Sequence, residues 1–274
     1  MANIIMPPSD AILRATGFLE EAINRFPEAN SQIPNPGMYE SDVEAHLLIL
    51  LIIRHVQGVI TLARHDLVLL PAATAIARTS FEAAVRVLWV LNPHDPMQRE
   101  ARWLAGLKEY ESYYRNLATD IEKHQDDGAP FHQIEKEIQG FRLGVERLLP
   151  KEIELLSKQP KYEDMLKDLG DAKRYTSYRI MSNYTHPTQV ATSIYRSGLG
   201  TQKKFGEFIS PSDWYTCLGP AWFSLANAGF RFLERCGGDP SAFLNQEFVD
   251  DVNRAIEAVR LEKNPQHRSP PEVQ

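Results

Sequence analysis

Apolar residues recur every three to four positions along almost the whole chain, and alternating apolar–polar runs are nearly absent. That period belongs to amphipathic helices and leaves no material for a sheet of any size, so the pattern predicts an all-α fold. Behind Ser9, residues Asp10 to Phe26 carry an apolar side formed by Ile12, Leu13, Phe18, Leu19 and Ile23, and a Pro- and Asn-rich loop, Pro27 to Gly37, follows. Ser41 with Glu44 three residues on has the form of a capping box, opening a helix to about His65. Leu47 to Ile53 is apolar nearly all round, which predicts a central position for that helix. Pro71 to Leu91 reads as the next helix, because Pro is tolerated in a first turn. Asp95-Pro96 opens a long one to about Lys123, and Phe131 to Leu149 follows the turn-like Asp126 to Pro130. A polar connector then runs to Gly170.

Asp171 caps a helix expected to end at His186, since Pro187 disfavours helical geometry at the residue before it. Thr188 to Gly200 fits either a helical turn or an extended segment. Ser210-Pro211 opens a helix to about Cys236 with a kink expected at Gly219-Pro220, and Pro240 to Leu261 reads as the last helix. No fixed-period repeat and no low-complexity linker divides the chain. The expectation is one bundle of seven to nine helices over residues 1–263, with a frayed polar, Pro-rich tail at 264–274.

Composition narrows the function. Thirty Lys and Arg against 36 Asp and Glu give the 274 residues a formal net charge of −6, which argues against a broadly basic surface that coats nucleic acid. The most apolar run, Leu47 to Ile53, falls well short of the ~20 residues of a membrane span. No basic, apolar and small-residue leader opens the sequence, and two cysteines, Cys217 and Cys236, fit a reducing compartment. A cytoplasmic protein with no membrane association is expected. Glycine-rich phosphate loops, paired Cys-x-x-Cys, His-Glu-x-x-His and Gly-x-Ser-x-Gly are all missing, and none of the eight histidines has a Glu three residues before it. Neither a metal nor a cofactor is expected.

Tyr175 to His186 stands apart. This helical stretch holds only Ile180 and Met181 as aliphatics. Arg179 and His186 are seven residues apart, which at about 100° per residue puts them within about 20° on one face, two turns apart. Ser182 and Asn183 fall between them, and Tyr175 lies one turn before Arg179. A permanently charged guanidinium beside a titratable imidazole suits phosphodiester chemistry: the first holds a non-bridging oxygen, the second moves a proton. RNA brings its own nucleophile in the 2′-hydroxyl, so this chemistry needs no metal. A helix-end His capping carbonyls and an Arg paired with a carboxylate would produce the same spacing.

Arg179, six intervening residues and His186 near a helix end resemble the Arg-x(4–6)-His signature of HEPN-type helical domains. Arg78-Thr79-Ser80-Phe81-Glu82 on an earlier helix, with Tyr178 and His186-Pro187, also resembles a group of uncharacterised bacterial helical proteins. The resemblance spans about Leu47 to Ser197. It implies a metal-independent ribonuclease of toxin–antitoxin, abortive-infection or antiviral type, working as a homodimer whose two Arg/His sets line one cleft. Arg179 and His186 carry over as catalytic candidates, and RNA and an antitoxin-like protein as partners. Ile180 follows Arg179 where active members often carry a polar residue. Asn183 joins them as a helper from helix geometry alone.

Arg78 and Glu82 form a second constellation, four apart on a helix otherwise filled by Ala75, Ile76, Phe81, Val85, Leu88 and Trp89. Exposed, such a pair contributes only about 0.2–0.5 kcal/mol; buried, it needs further partners. Either it satisfies itself, or Glu82 meets Arg179 or a tyrosine across the bundle and orients the site. The four tryptophans sit among aliphatics and read as core, and Tyr110, Tyr113 and Tyr114 as a helix–helix contact. The competing functional reading is a non-catalytic helical module in which the same residues form a polar network or bind a small anion.

Overall fold

A computed structural model describes residues 5–33, 39–124, 126–186, 188–197 and 204–262. Among them are nine helices of seven residues or more, and the only extended pairing is a two-residue antiparallel ladder, Arg196–Ser197 with Lys204–Phe205. The fold is all-α. In chain order the helices are α1 (Asp10–Ser31), α2 (Glu40–His65), α3 (Leu70–Val90), α4 (Pro96–Lys123), α5 (Ala129–Glu146), α6 (Tyr162–Asp168), α7 (Tyr175–Thr185), the single turn α8 (Gln189–Thr192), α9 (Tyr215–Arg235), the single turn α10 (Pro240–Phe243) and α11 (Gln246–Arg260).

Helices α2, α3 and α9 pack on one another at the centre; α1 and α11 lie along one flank, and α6 and α7 lean on α3. One hydrophobic cluster joins them, with Phe26, Ile49, Phe81, Trp214 and Phe232 among its fully buried side chains. All four tryptophans are buried, as their spacing predicted. The α4–α5 hairpin is held differently. Arg142 is the one buried residue of α5, and it makes two hydrogen bonds, of 3.0 and 2.9 Å, to buried Glu111 of α4. Tyr110 and Tyr113, expected at a helix contact, are instead more than half exposed, and Glu111 between them makes the contact.

Several boundaries differ from the sequence reading for identifiable reasons. Helix α1 passes through Pro27 to Ser31, because Ala29 and Ile33 bury apolar surface beyond the proline. The Ser41–Glu44 capping box does not form: Tyr39 is the N-cap, and the backbone N–H of Ser41 donates to Glu100 of α4 at 2.8 Å. A carboxylate from a neighbouring helix thus meets the α2 amino terminus, where the helix dipole favours negative charge. Leu47, Leu50 and Leu51 are 55%, 45% and 43% exposed, so α2 buries one side, through Ala45, Ile49, Ile52 and Val56, rather than all round. The connector before Gly170 contains α6, whose Met165 and Leu166 are buried. The last helix is two, broken where Asn245 caps α11 by accepting the Phe248 N–H at 2.9 Å. Pro220 lies inside α9, and Thr188 onward begins as a helical turn. The expected tail, 264–274, lies outside the described residues.

Candidate functional site

Helix α7 has two working sides. Toward α3 it presents Tyr178, Met181 and Thr185, spaced three and four apart, with Met181 fully buried. Arg78 of α3 meets this side with its whole guanidinium. Its Nε–H donates to Glu82 at 2.8 Å, one terminal nitrogen donates to the Tyr178 hydroxyl at 3.1 Å, and the other donates to the Thr185 hydroxyl. The guanidinium carbon lies 5.0 Å from the Tyr178 ring centroid. Tyr178 packs in turn against Tyr175 (5.4 Å, near parallel) and Tyr162 (5.7 Å), and the Tyr162 hydroxyl accepts from Arg86 at 3.3 Å.

These partners settle the status of the Arg78–Glu82 pair. Its side chains are only 19% and 23% exposed, so it sits where desolvation matters, and Tyr178 and Thr185 supply what the carboxylate alone does not. Burial works against the Arg78 charge, but the bonds to Tyr178 and Glu82 outweigh it and raise its pKa above the ordinary value. Burial likewise pushes the Tyr162 hydroxyl up. The expectation that Glu82 itself would reach Arg179 or a tyrosine is corrected. Arg78 makes the crossing, and Glu82 braces it.

Arg179 is exposed on the side of α7 away from Met181, Asn183 is half-buried, and His186 is exposed just beyond the helix end, so the expected helical register of Arg179 and His186 on one face is corrected. Among the described residues no hydrogen bond or ion pair engages any of these three side chains. Glu163 of α6 has its carboxyl held below the usual range chiefly by its hydrogen bond to Lys167, with Arg179 adding to the effect. Thr185 is the last helical residue, and His186 follows in an extended conformation (φ −116°, ψ 149°). Two expected members of this face turn elsewhere. Tyr175 stacks on Tyr178, and the Ser182 hydroxyl donates back to the Tyr178 carbonyl at 2.8 Å. Thr188 ties the segment after the helix down by donating to the Asn183 carbonyl at 2.8 Å.

Sequence reasoning missed Thr185 and Tyr162, which no spacing rule links to Arg78. It also missed a charge signal that was in plain view. From Ala172 to Gly206 the chain contains six Lys and Arg (Lys173, Arg174, Arg179, Arg196, Lys203, Lys204) and not one Asp or Glu, inside a protein of net charge −6. Lys173 and Arg179 are exposed and Arg174 and Arg196 half-buried. A local field of this sign favours an anionic ligand at α7 whatever the overall charge.

Among the described residues no group of three or more His, Cys, Asp or Glu is arranged to hold a metal ion. What the fold places here is an exposed cation on a helix fastened from behind and an exposed imidazole just past its end. No curated protein and no solved structure matches the chain. One family profile does, over residues 44–197, more than half of the sequence and the part that contains Arg78, Glu82, Tyr178, Arg179 and His186; the chain belongs to the family of unknown function DUF5677.

Proposed function

We propose that the protein is a HEPN-like, metal-independent endoribonuclease of a bacterial toxin or phage-defence type, acting in the cytoplasm as a homodimer, with an antitoxin-like protein as its regulator. The observation that carries the reading is that Arg179, on a helix locked to α3 by Arg78, and His186, directly after that helix, are both exposed and unengaged among the described residues. A structural pair would be consumed by carboxylates or carbonyls. These two are left open to solvent within a stretch that carries no acidic residue of its own, although Asp171 just before it pairs with Arg174.

In the reaction Arg179 holds a non-bridging phosphate oxygen and offsets the charge that develops there, an interaction that strengthens toward the transition state. The O2′–P bond forms as the P–O5′ bond breaks. One His186 takes the 2′ proton, and a protonated His186 from the second copy gives one to O5′, leaving a 2′,3′-cyclic phosphate and a 5′-hydroxyl. Asn183 helps orient the phosphate.

Because both side chains are exposed, His186→Ala and Arg179→Ala should each abolish RNA cleavage while far-UV dichroism and Tm stay close to wild type. Induced expression of the wild type, but of neither variant, should arrest growth. Equal cleavage by variant and wild type, or no cleavage by the wild type across varied RNAs, overturns the proposal. The second reading, a module that binds a small anion or a partner through the same residues, is favoured by one observation: neither Arg179 nor His186 borders the large groove beside α7. Phosphate binding lost in Arg179→Ala, with RNA left intact by the wild type, would establish it.

A further inference from the structure

A groove of about 810 Å³ runs between α7, α9 and α11, a volume in the range of small-molecule and cofactor sites (~300–1,000 Å³). It does not look like a packing seam, because large apolar side chains stand open around it: Tyr215 is 38%, Phe230 43% and Ile180 43% exposed. The guanidinium of Arg174 lies 4.0 Å from the Phe223 ring centroid, so a planar cation already covers one ring on the α7 side of the groove.

The polar groups here are half-used. Asn253 accepts the Trp222 indole N–H at 3.0 Å, and Asn227 donates to the Phe223 carbonyl at 3.0 Å. Each amide is thereby fixed by one end. The other ends, the Asn253 amide nitrogen and the Asn227 amide oxygen, have no partner among the described residues. Both asparagines are exposed, so water meets these ends in the free protein, and one donor and one acceptor at the mouth of an aromatic-lined groove suit a flat ligand with a hydrogen-bonding edge. A purely apolar occupant would leave both amides unpaired. A nucleobase uses its faces on the rings and its edge on the amides.

Charge and position connect the groove to α7. Both charges on the wall are paired, Glu257 with Arg260 and Arg174 with Asp171, and the positive charge left over beside the groove is that of exposed Lys173 and Arg179. Ser177 and Ile180 of α7 form one wall, and Arg179, the residue before Ile180, lies about 100° farther round the same helix. From these observations we infer that the groove seats unpaired bases of single-stranded RNA, whose backbone then crosses α7 to Arg179 and His186. The inference rests on the ribonuclease reading and specifies its substrate class: unpaired rather than duplex RNA.

The test is fluorescence anisotropy on full-length His186→Ala and on the double variant His186→Ala/Phe230→Ala. Three labelled probes are used: a short single-stranded RNA, the same strand with abasic sites, and the matching duplex. Wild-type cleavage of the single strand is measured in parallel. The single strand should bind at least about tenfold more tightly than the abasic strand or the duplex, and the Phe230 substitution should remove about tenfold from the base-bearing strand only. Phe230 is on the rim, so the double variant should keep the parent's Tm. Asn227→Leu, another exposed position, should weaken the same probe selectively. Equal affinity for base-bearing and abasic strands, or no selective loss in Phe230→Ala and Asn227→Leu, overturns the inference. Cleavage with base-independent binding removes the groove and leaves the ribonuclease. Base-dependent binding with no cleavage removes the ribonuclease and leaves the groove.

Discussion

Arg78 bonds three acceptors at once, Tyr178 and Thr185 of α7 and Glu82 of its own helix, and only a planar fork of N–H donors can do that. A lysine at this position keeps the charge and its proximity to Glu82 but cannot also reach the Tyr178 and Thr185 hydroxyls. Arg78→Lys should therefore cost about 1–3 kcal/mol in urea unfolding, since it leaves half-buried hydroxyls without their donor. RNA cleavage should fall as well, although Arg78 never meets the substrate, because α7 loses its fixed orientation. A lysine variant with unchanged stability and activity would mean that α7 is held by Met181 and the tyrosine stack alone. The sequence exposed part of this arrangement. The four-residue spacing of Arg78 and Glu82 and the polar character of 175–186 were readable because they are local. Thr185 was not, since its contact with Arg78 spans 107 residues. Ser182 was misassigned for a local reason: its hydroxyl has a carbonyl one turn back and takes it before any ligand does.

At the level of helices, periodicity gave order and length well wherever a helix buries an apolar stripe, and failed where tertiary polar contacts decide. Ser41 and Glu44 satisfy a local capping rule, yet Glu100 from another helix takes the Ser41 N–H. Helix α6 is too short for its period to stand out. The α4–α5 hairpin is the clearest such case, because its α5 side is buried through a single cation. Arg142 and Glu111 have side chains only 10% and 5% exposed, and Arg142 also bonds Glu146 at 2.7 Å. Removing one partner strands the other in a site with little water. Glu111→Ala should cost about 3–5 kcal/mol by chemical denaturation. The pair Glu111→Leu/Arg142→Met should recover most of that loss, since Glu146 keeps Lys108 at 3.6 Å while the apolar replacements fill the space. If the double variant is no more stable than Glu111→Ala, the hairpin depends on the geometry of the ion pair and not merely on avoiding a stranded charge.

Over the whole molecule, the net charge of −6 pointed away from nucleic acid, whereas the acid-free stretch 172–206 points toward it. Averages over a chain conceal a field that one short segment can generate, and folding leaves part of that segment exposed, Lys173 just before α7 and Arg179 on it. The exposed pair then raises a question of stoichiometry. A single imidazole can take the 2′ proton or supply one to O5′, but a concerted displacement needs both transfers. Two copies related by a two-fold axis would provide two imidazoles in one cleft. Co-expression of wild type and His186→Ala under different tags makes this countable. If each cleavage needs both copies, activity follows the square of the wild-type fraction, and an equal mixture retains about one quarter of full activity. Independent subunits would retain about half. Purifying the doubly tagged species sharpens the comparison: it should bind single-stranded RNA but cut none, because one proton transfer lacks its carrier. A doubly tagged species with half the specific activity of wild type would assign both proton transfers to a single chain, with water standing in for the second imidazole.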